Sequence, residues 1–415
     1  MRQWGLAFLI CVCAAQSVGA EDVGLKSLSA KLTAIRGTHG VNKMRDAGPE
    51  LTPIKRALRE WVEAQLPSLG PNEDDTKAFA DHLNASLKAA RLTCAWNDKQ
   101  CEETTGNYSQ EDARGYLSDV SVSYLDFRHY LAVKTNIGIR CGFDESAYIY
   151  EWREKAWRLL LQTEQDRYDD KHYSPQNFLA IKVPPTRVAW NEPAPNAPLI
   201  LTLGYSPWCQ SNWQMLYTRL WRASSTNSAP NPLIDDSDEL YIGDDAIADA
   251  QVSDDDVLIE FEGGSIDGDV LVRPHIRHFL VRGGAVQRIA PVAFDPKQFV
   301  DEWLSQLWAE SAKWIGDSAD RPSLRTWYDR FHKGDIVFGE FDEDGVHRCH
   351  ADPALWQVGF TQQAGPHNPE LTGYFLVRWM APYRFALVDI RKEKSRDCDI
   401  ADSMRDNVGT LFPFR

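Results

Sequence analysis

Between Val183 and Pro198 the chain reads V-P-P-T-R-V-A-W-N-E-P-A-P-N-A-P. Each proline fixes φ near −65° and removes a backbone donor, so neither a helix nor an interior strand survives such a density. The stretch reads as a linker or boundary that parts the chain into regions of different periodicity. Upstream, Ile54, Leu58, Trp61, Val62 and Leu66 recur at helical spacing after Thr52-Pro53, and Pro67 with Gly70 closes the pattern. A second helix is expected from about Asp74 to Leu92, with Phe79, Leu83, Leu87 and Ala90 on one face. Leu131, Val133, Ile137, Ile139 and Cys141 fall on alternate positions and read as a half-buried strand, with Tyr116–Tyr124 as its hairpin partner. Asp144 reads as the cap of a long helix over Glu145–Gln165.

Beyond the prolines, strand signals dominate. The apolar run Leu199–Leu203 is followed by a turn and then by Trp213–Arg222, which reads as a helix. Strands are expected at Val257–Phe261, Val270–Val272, Ile276–Val281 and Val286–Ile289, with Gly283-Gly284 as a hairpin turn. Asp295-Pro296 opens a helix carrying Phe299, Val300, Trp303, Leu304, Leu307 and Trp308, and Ser323 caps another with Leu324, Trp327, Tyr328 and Phe331. Ile336–Phe341 and Val346–His350 form a pair joined through Asp344-Gly345, and Tyr374–Met380 pairs with Tyr383–Ile390. The expected fold is α+β: a mainly helical region with one hairpin over 21–182, then a hairpin-rich α+β domain over 199–415.

The N-terminus carries an address. Arg2 precedes an apolar run, Leu6–Ala15, and Val18-Gly19-Ala20 supplies small residues before the acids Glu21 and Asp22. This predicts a secretory signal peptide over 1–20, because the run is too short to span a bilayer. Ile10 and Val12, not small residues, precede Cys11 and Cys13, which argues against a lipoprotein signal. The expected location is secreted or periplasmic. Six cysteines follow the leader: Cys94, Cys101, Cys141, Cys209, Cys349 and Cys398. In an oxidising compartment an even set predicts disulfides. Cys94 with Cys101 closes a short loop, Cys349 and Cys398 flank a β-rich segment, and elimination leaves Cys141 with Cys209.

The stretch Y-S-P-W-C-Q-S-N-W, Tyr205–Trp213, holds the candidate catalytic atoms, Cys209 and Ser206. P-W-C between a strand and an expected helix resembles the active-site turn of thioredoxin-fold oxidoreductases, over about ten residues only. A helix N-terminus there would stabilise a thiolate. The second cysteine of that pattern is replaced by Asn212. Ser206 sits in G-Y-S-P-W, which resembles the nucleophile elbow of α/β-hydrolases except that Trp208 stands where close strand–helix packing needs glycine. A structural disulfide or a turn serine is the simpler reading of both.

Other motifs are weaker. In H-R-C-H, His347–His350, a strand would turn His347 and Cys349 one way and Arg348 and His350 the other, so a closed metal site does not form from it; no metal or cofactor is expected. The run Asp235–Asp256 holds ten acids and no Lys or Arg and reads as a solvated, self-repelling loop. Glu340–Gly345 resembles a calcium loop only in fragment, with Ala351 where the last ligand should be. Asp301-Glu302 suits the first half of a helix by its charge. The formal net charge of −15 opposes nucleic acid as a partner, and no second apolar run approaches membrane length. What stands out is 15 tryptophans, grouped at Trp152 and Trp157, at Trp208, Trp213 and Trp221, and at Trp303, Trp308 and Trp314. Their spacing favours core packing; exposed rings would instead receive a sugar, another small molecule or a protein partner. The expected function is non-catalytic binding by an exported soluble protein, with an extracytoplasmic thiol oxidoreductase or hydrolase at Tyr205–Trp213 as the alternative.

Overall fold

The computed structural model describes residues 23–36, 48–70, 73–93, 115–125, 130–139, 142–164, 177–185, 198–206, 211–222, 231–243, 248–282, 284–289, 293–333, 337–365 and 369–401. The expected leader, most of the proline-rich stretch, and Cys94, Cys101, Cys141 and Cys209 lie outside these. The architecture is mixed α+β, with more strand than helix and the strands arranged in four meandering sheets. The chain divides into two compact units, Met1–Ser237 with Val252–Asp254, and Asp238–Gln251 with Asp255–Arg415.

In the first unit, α1 (23–36), α2 (Leu51–Gln65) and α3 (Glu73–Ala89) precede a four-stranded sheet. Its strands are β1 (Ser121–Leu125), β2 (Tyr130–Ile139), β3 (Gly142–Arg153) and β4 (Ala156–Thr163), in the order β1-β2-β3-β4. The expected hairpin of β1 with β2 is present, Val122 facing Val133. Period-two alternation then divides the residues between two cores. Leu131, Val133, Tyr148 and Tyr150 face the helices, against Leu28, Ile54, Leu58, Trp61 and Leu83. Tyr130, Ala132, Ile149 and Leu161 face the other way, onto Ile200 and Trp221. Those last two belong to the next sheet, formed by β5 (Asn177–Lys182), β6 (Leu199–Tyr205), β7 (Trp213–Arg222) and β8 (Ile234–Tyr241).

This layering explains two corrections. The helix expected over Glu145–Gln165 is the hairpin of β3 and β4, and Asp144 is no cap: it lies in β3, fully buried, 2.8 Å from the Lys55 ammonium of α2. A strand buried on both faces loses its polar/apolar alternation, so Ala147, Tyr148, Ile149 and Tyr150, all buried, carry no period to read. The helix expected over Trp213–Arg222 is strand β7, with Gln214, Leu216, Thr218 and Leu220 buried. Its outward residues include Trp213, Met215 and Tyr217, which mask the alternation with apolar side chains on the half-exposed face.

In the second unit, β9 (Ala248–Val252), β10 (Asp256–Gly264), β11 (Val272–Arg282) and β12 (Ala285–Ile289) form the sheet β12-β11-β10-β9. Gly284 turns β11 into β12 at φ 87°. The helices α4 (Pro296–Ser305), α5 (Trp308–Ser311) and α6 (Arg321–Phe331) follow. Asp295 caps α4 as expected, its carboxylate accepting from Gln298 N at 2.8 Å; α6 is capped by Asp320 rather than by Ser323. Phe299, Trp303, Leu324 and Phe331 from these helices pack on Val358, Phe360, Phe375 and Phe385. The latter line a sheet of β13 (Gly339–Arg348), β14 (Leu355–Gln362), β15 (Leu371–Ala381), β16 (Arg384–Arg391) and β17 (Ile400–Ala401), ordered β16-β15-β14-β13-β17.

Two further expectations change here. In its described residues the acidic run is not one loop: it contains β8 and β9, Asp235 and Asp238 are paired with Arg219 and Arg277, and Asp256 lies 2.8 Å from His278 Nε2. The pair expected through Asp344-Gly345 is a single strand with a bulge, since Phe341 and Val346 both pair with β14, at Phe360 and Val358. Cys349 and Cys398 are joined by a disulfide that ties the end of β13 to the segment before β17.

Candidate functional site

Among the described residues, one cleft in each unit gathers polar side chains. The first opens where α2 stops short of the sheet. Pro67 ends the helix by a 3-10 turn, Leu66–Ser68, because it can neither donate nor continue the α geometry. The β3–β4 hairpin runs on past that end. Trp152 and Trp157 are direct cross-strand partners, and Tyr150 pairs with Leu159 in the register before them, so all four side chains share the helix face. The resulting cleft has a volume of about 380 Å³ and is lined by Tyr150, Trp152, Trp157 and Leu159, by Lys155 and Arg158 at the hairpin tip, and by Glu63, Leu66 and Pro67 across from them.

The groups that reach across to the helix side are committed. Trp157 Nε1 donates to Leu69 O at 2.9 Å, and the Tyr150 hydroxyl donates to Glu63 at 3.2 Å. Burial, with the Glu63 charge adding to it, raises the Tyr150 pKa, so that hydroxyl remains a donor. Glu63 also faces Arg59 Nε at 3.8 Å. The groups toward the hairpin tip are not. No hydrogen bond or ion pair among the described residues engages the Trp152 indole N–H or the Lys155 ammonium. Among the described residues Arg158 has a single long contact, 3.8 Å, with Glu154, both of them exposed. Glu63 is the one acid among the described lining residues, and no histidine, serine or cysteine joins it there. The cleft is thus furnished for recognition, with aromatic faces and spare donors, rather than for proton transfer or nucleophilic attack.

The second cleft, about 280 Å³, lies between β10, β11 and α4. Arg273, His275 and Arg277 project from alternate positions of β11 toward Asp301 and Glu302 of α4, all five buried. Arg273 reaches Asp301 at 2.8 Å and Glu302 at 2.8 Å. Arg277 reaches Glu302 at 3.2 Å and Asp238 at 2.7 Å. His275 lies with Nδ1 3.1 Å from Glu302 and Nε2 2.9 Å from the Gly264 carbonyl, its ring stacked on Phe261. Burial alone would raise the Glu302 pKa. Arg277, the His275 hydrogen bond and Arg273 outweigh it and hold the carboxyl well below its ordinary range. Burial, then the charge of Arg273, lowers the His275 pKa below that of a free imidazole. A glycosidic acid–base pair needs one carboxyl kept protonated by a raised pKa. Glu302 is shifted the opposite way and clamped by two guanidinium groups, so this network reads as a brace between sheet and helix.

The residues singled out by sequence scatter. Ser206 follows β6, half-buried, and the next described segment enters strand β7 instead of the helix that thiolate or elbow chemistry requires. Cys209 and Trp208 lie outside the described residues. His347 is buried and faces Lys394 at 3.1 Å, Cys349 is in the disulfide, and His350 pairs with Asp399, so H-R-C-H disperses into three separate contacts. Trp303 and Trp314 are core, whereas Trp213 is 37% exposed. The basic triplet of β11 was legible as Arg, His and Arg at period two, although its burial was not. The aromatic cleft was hidden by the helical reading of the segment that forms it. No protein-family model matches the chain, and no curated protein matches it.

Proposed function

We propose that this chain is an exported, soluble, non-catalytic binding protein, acting in the periplasm or outside the cell, that receives its ligand in the Trp152–Trp157 cleft. The observation that carries the reading is the asymmetry of that cleft: aromatic faces, with one indole N–H and two cations on the hairpin that have no close polar partner among the described residues, beside a single acid already engaged. Rigid aromatic groups with polar tips bind at low entropic cost, which suits a preformed site. The leader-like start, the acidic surface charge and the Cys349–Cys398 bond are consistent with life outside the cytoplasm. The partner is a small molecule or a protein segment and requires no cofactor.

A tryptophan-fluorescence titration of the full chain against oligosaccharides, peptides and small organic acids tests this. At least one class should perturb the emission of the wild type and leave Trp152→Ala unchanged, with circular dichroism confirming that the variant is folded. A panel in which nothing binds, or in which every binder is indifferent to Trp152→Ala, overturns the proposal.

A further inference from the structure

The β3–β4 connection is a two-residue turn closed by Arg153 and Ala156, and both central residues, Glu154 and Lys155, stand in the left-handed region at φ 55° and 61°. A turn of this kind favours Asn-Gly, because a side chain there crowds the following carbonyl. The chain instead keeps a lysine at the rim of the cleft. A strained residue at the edge of a concave surface is an outlier that points toward function. The Lys155 side chain has no partner among the described residues, and Arg158 is held only by the exposed contact with Glu154. The rim therefore offers positive charge on a protein whose formal net charge is −15.

The floor narrows the choice further. The Trp152 and Trp157 rings meet edge to face, with centroids 5.0 Å apart and planes inclined at 61°. Parallel rings held apart by two van der Waals contacts would sandwich a flat aromatic ligand; an inclined pair offers a single face with an indole N–H at its margin. A pyranose fits that arrangement, since one side of the ring is lined with C–H groups and the rim with hydroxyl acceptors. Resting on the binding function proposed above, we infer that the cleft takes a saccharide bearing a carboxylate, its ring stacked on that indole face and its carboxylate against Lys155 and Arg158. A charge-assisted hydrogen bond between ammonium and carboxylate is the interaction that a neutral sugar lacks.

Calorimetric titration of the full chain with a hexuronic acid trisaccharide, the matched neutral hexose trisaccharide and the hexuronic acid monosaccharide decides the matter. The acidic trisaccharide should bind about tenfold more tightly than the neutral one, and the preference should shrink at higher salt. Lys155→Gly should abolish most of that preference, weakening the acidic trisaccharide far more than the neutral one. Glycine suits the left-handed turn, so this variant retains the fold. A monosaccharide as tight as the trisaccharide would assign a free sugar acid, and a weaker one a chain-borne residue; both support the inference. Equal affinity for acidic and neutral trisaccharides, both lost in Trp152→Ala, overturns the inference but spares the binding function. Silence of all three sugars overturns the inference as well, and the wider ligand panel then decides whether the binding function stands.

Discussion

Replacing Glu302 by glutamine is the sharpest test of how the second unit is held. Glu302 lies 2.8 Å from Arg273, 3.2 Å from Arg277 and 3.1 Å from His275, and is 3% exposed. An amide matches the carboxylate in shape but presents one acceptor oxygen and no charge. Arg273 keeps Asp301 and Arg277 keeps Asp238, but the pocket then holds two guanidinium groups with one fewer counter-charge. Removing one partner from a buried ion network costs about 3–5 kcal/mol, because the remaining charge is left desolvated. Such a loss is a large share of the about 5–15 kcal/mol that keeps a domain folded. Urea denaturation monitored by circular dichroism gives the total, and hydrogen exchange at β11 and α4 shows whether the loss is local to the network. A change below about 1 kcal/mol, the size expected of a solvent-exposed pair, would refute the claim that the network braces sheet against helix.

Acid should act on the same network in two stages. The folded His275 pKa lies below the unfolded value of 6.5, so stability falls as pH drops below about 6.5, and His275→Gln should remove that stage from a pH series of urea midpoints. Glu302, held well below 4.5, contributes stability that is complete above about pH 4.5 and is lost as pH falls through its folded pKa, so Glu302→Gln should flatten the second stage. In the first unit, Lys55→Ala should cost about 3–5 kcal/mol by removing a buried counter-charge 2.8 Å from Asp144, whereas Lys55→Met with Asp144→Leu should recover most of it; equal losses in single and double variants in urea titrations would contradict this. Cys349 and Cys398 should resist alkylation until reduced, and Cys349→Ser should cost about 2–4 kcal/mol through the freed loop, read as a lower urea midpoint.

The sequence alone determined the elements whose two faces differ. Phe79, Leu83 and Leu87 marked α3, Asp295-Pro296 marked the start of α4, and Gly283-Gly284 marked the β11–β12 turn, because each signal is local: a helical stripe, a cap, a backbone freedom. Alternation at Leu131 and Val133 likewise gave β2 and its partner β1. Only the tertiary structure decided β3, β4 and β7: Ala147–Tyr150 of β3 are buried on both faces, Leu159–Leu161 of β4 run across both, and β7 sets Trp213, Met215 and Tyr217 on its half-exposed face, so the alternation is masked. The same holds for the sites. Trp152 and Trp157 read as neighbours on a helix, and it is the hairpin that sets them opposite each other over a cleft. Lys55 with Asp144, and Glu302 with Arg273 and Arg277, are far apart in the chain, and their burial and neutralisation exist only once helix and sheet meet. Local chemistry fixes local geometry, whereas charge pairing and concavity belong to convergence in space.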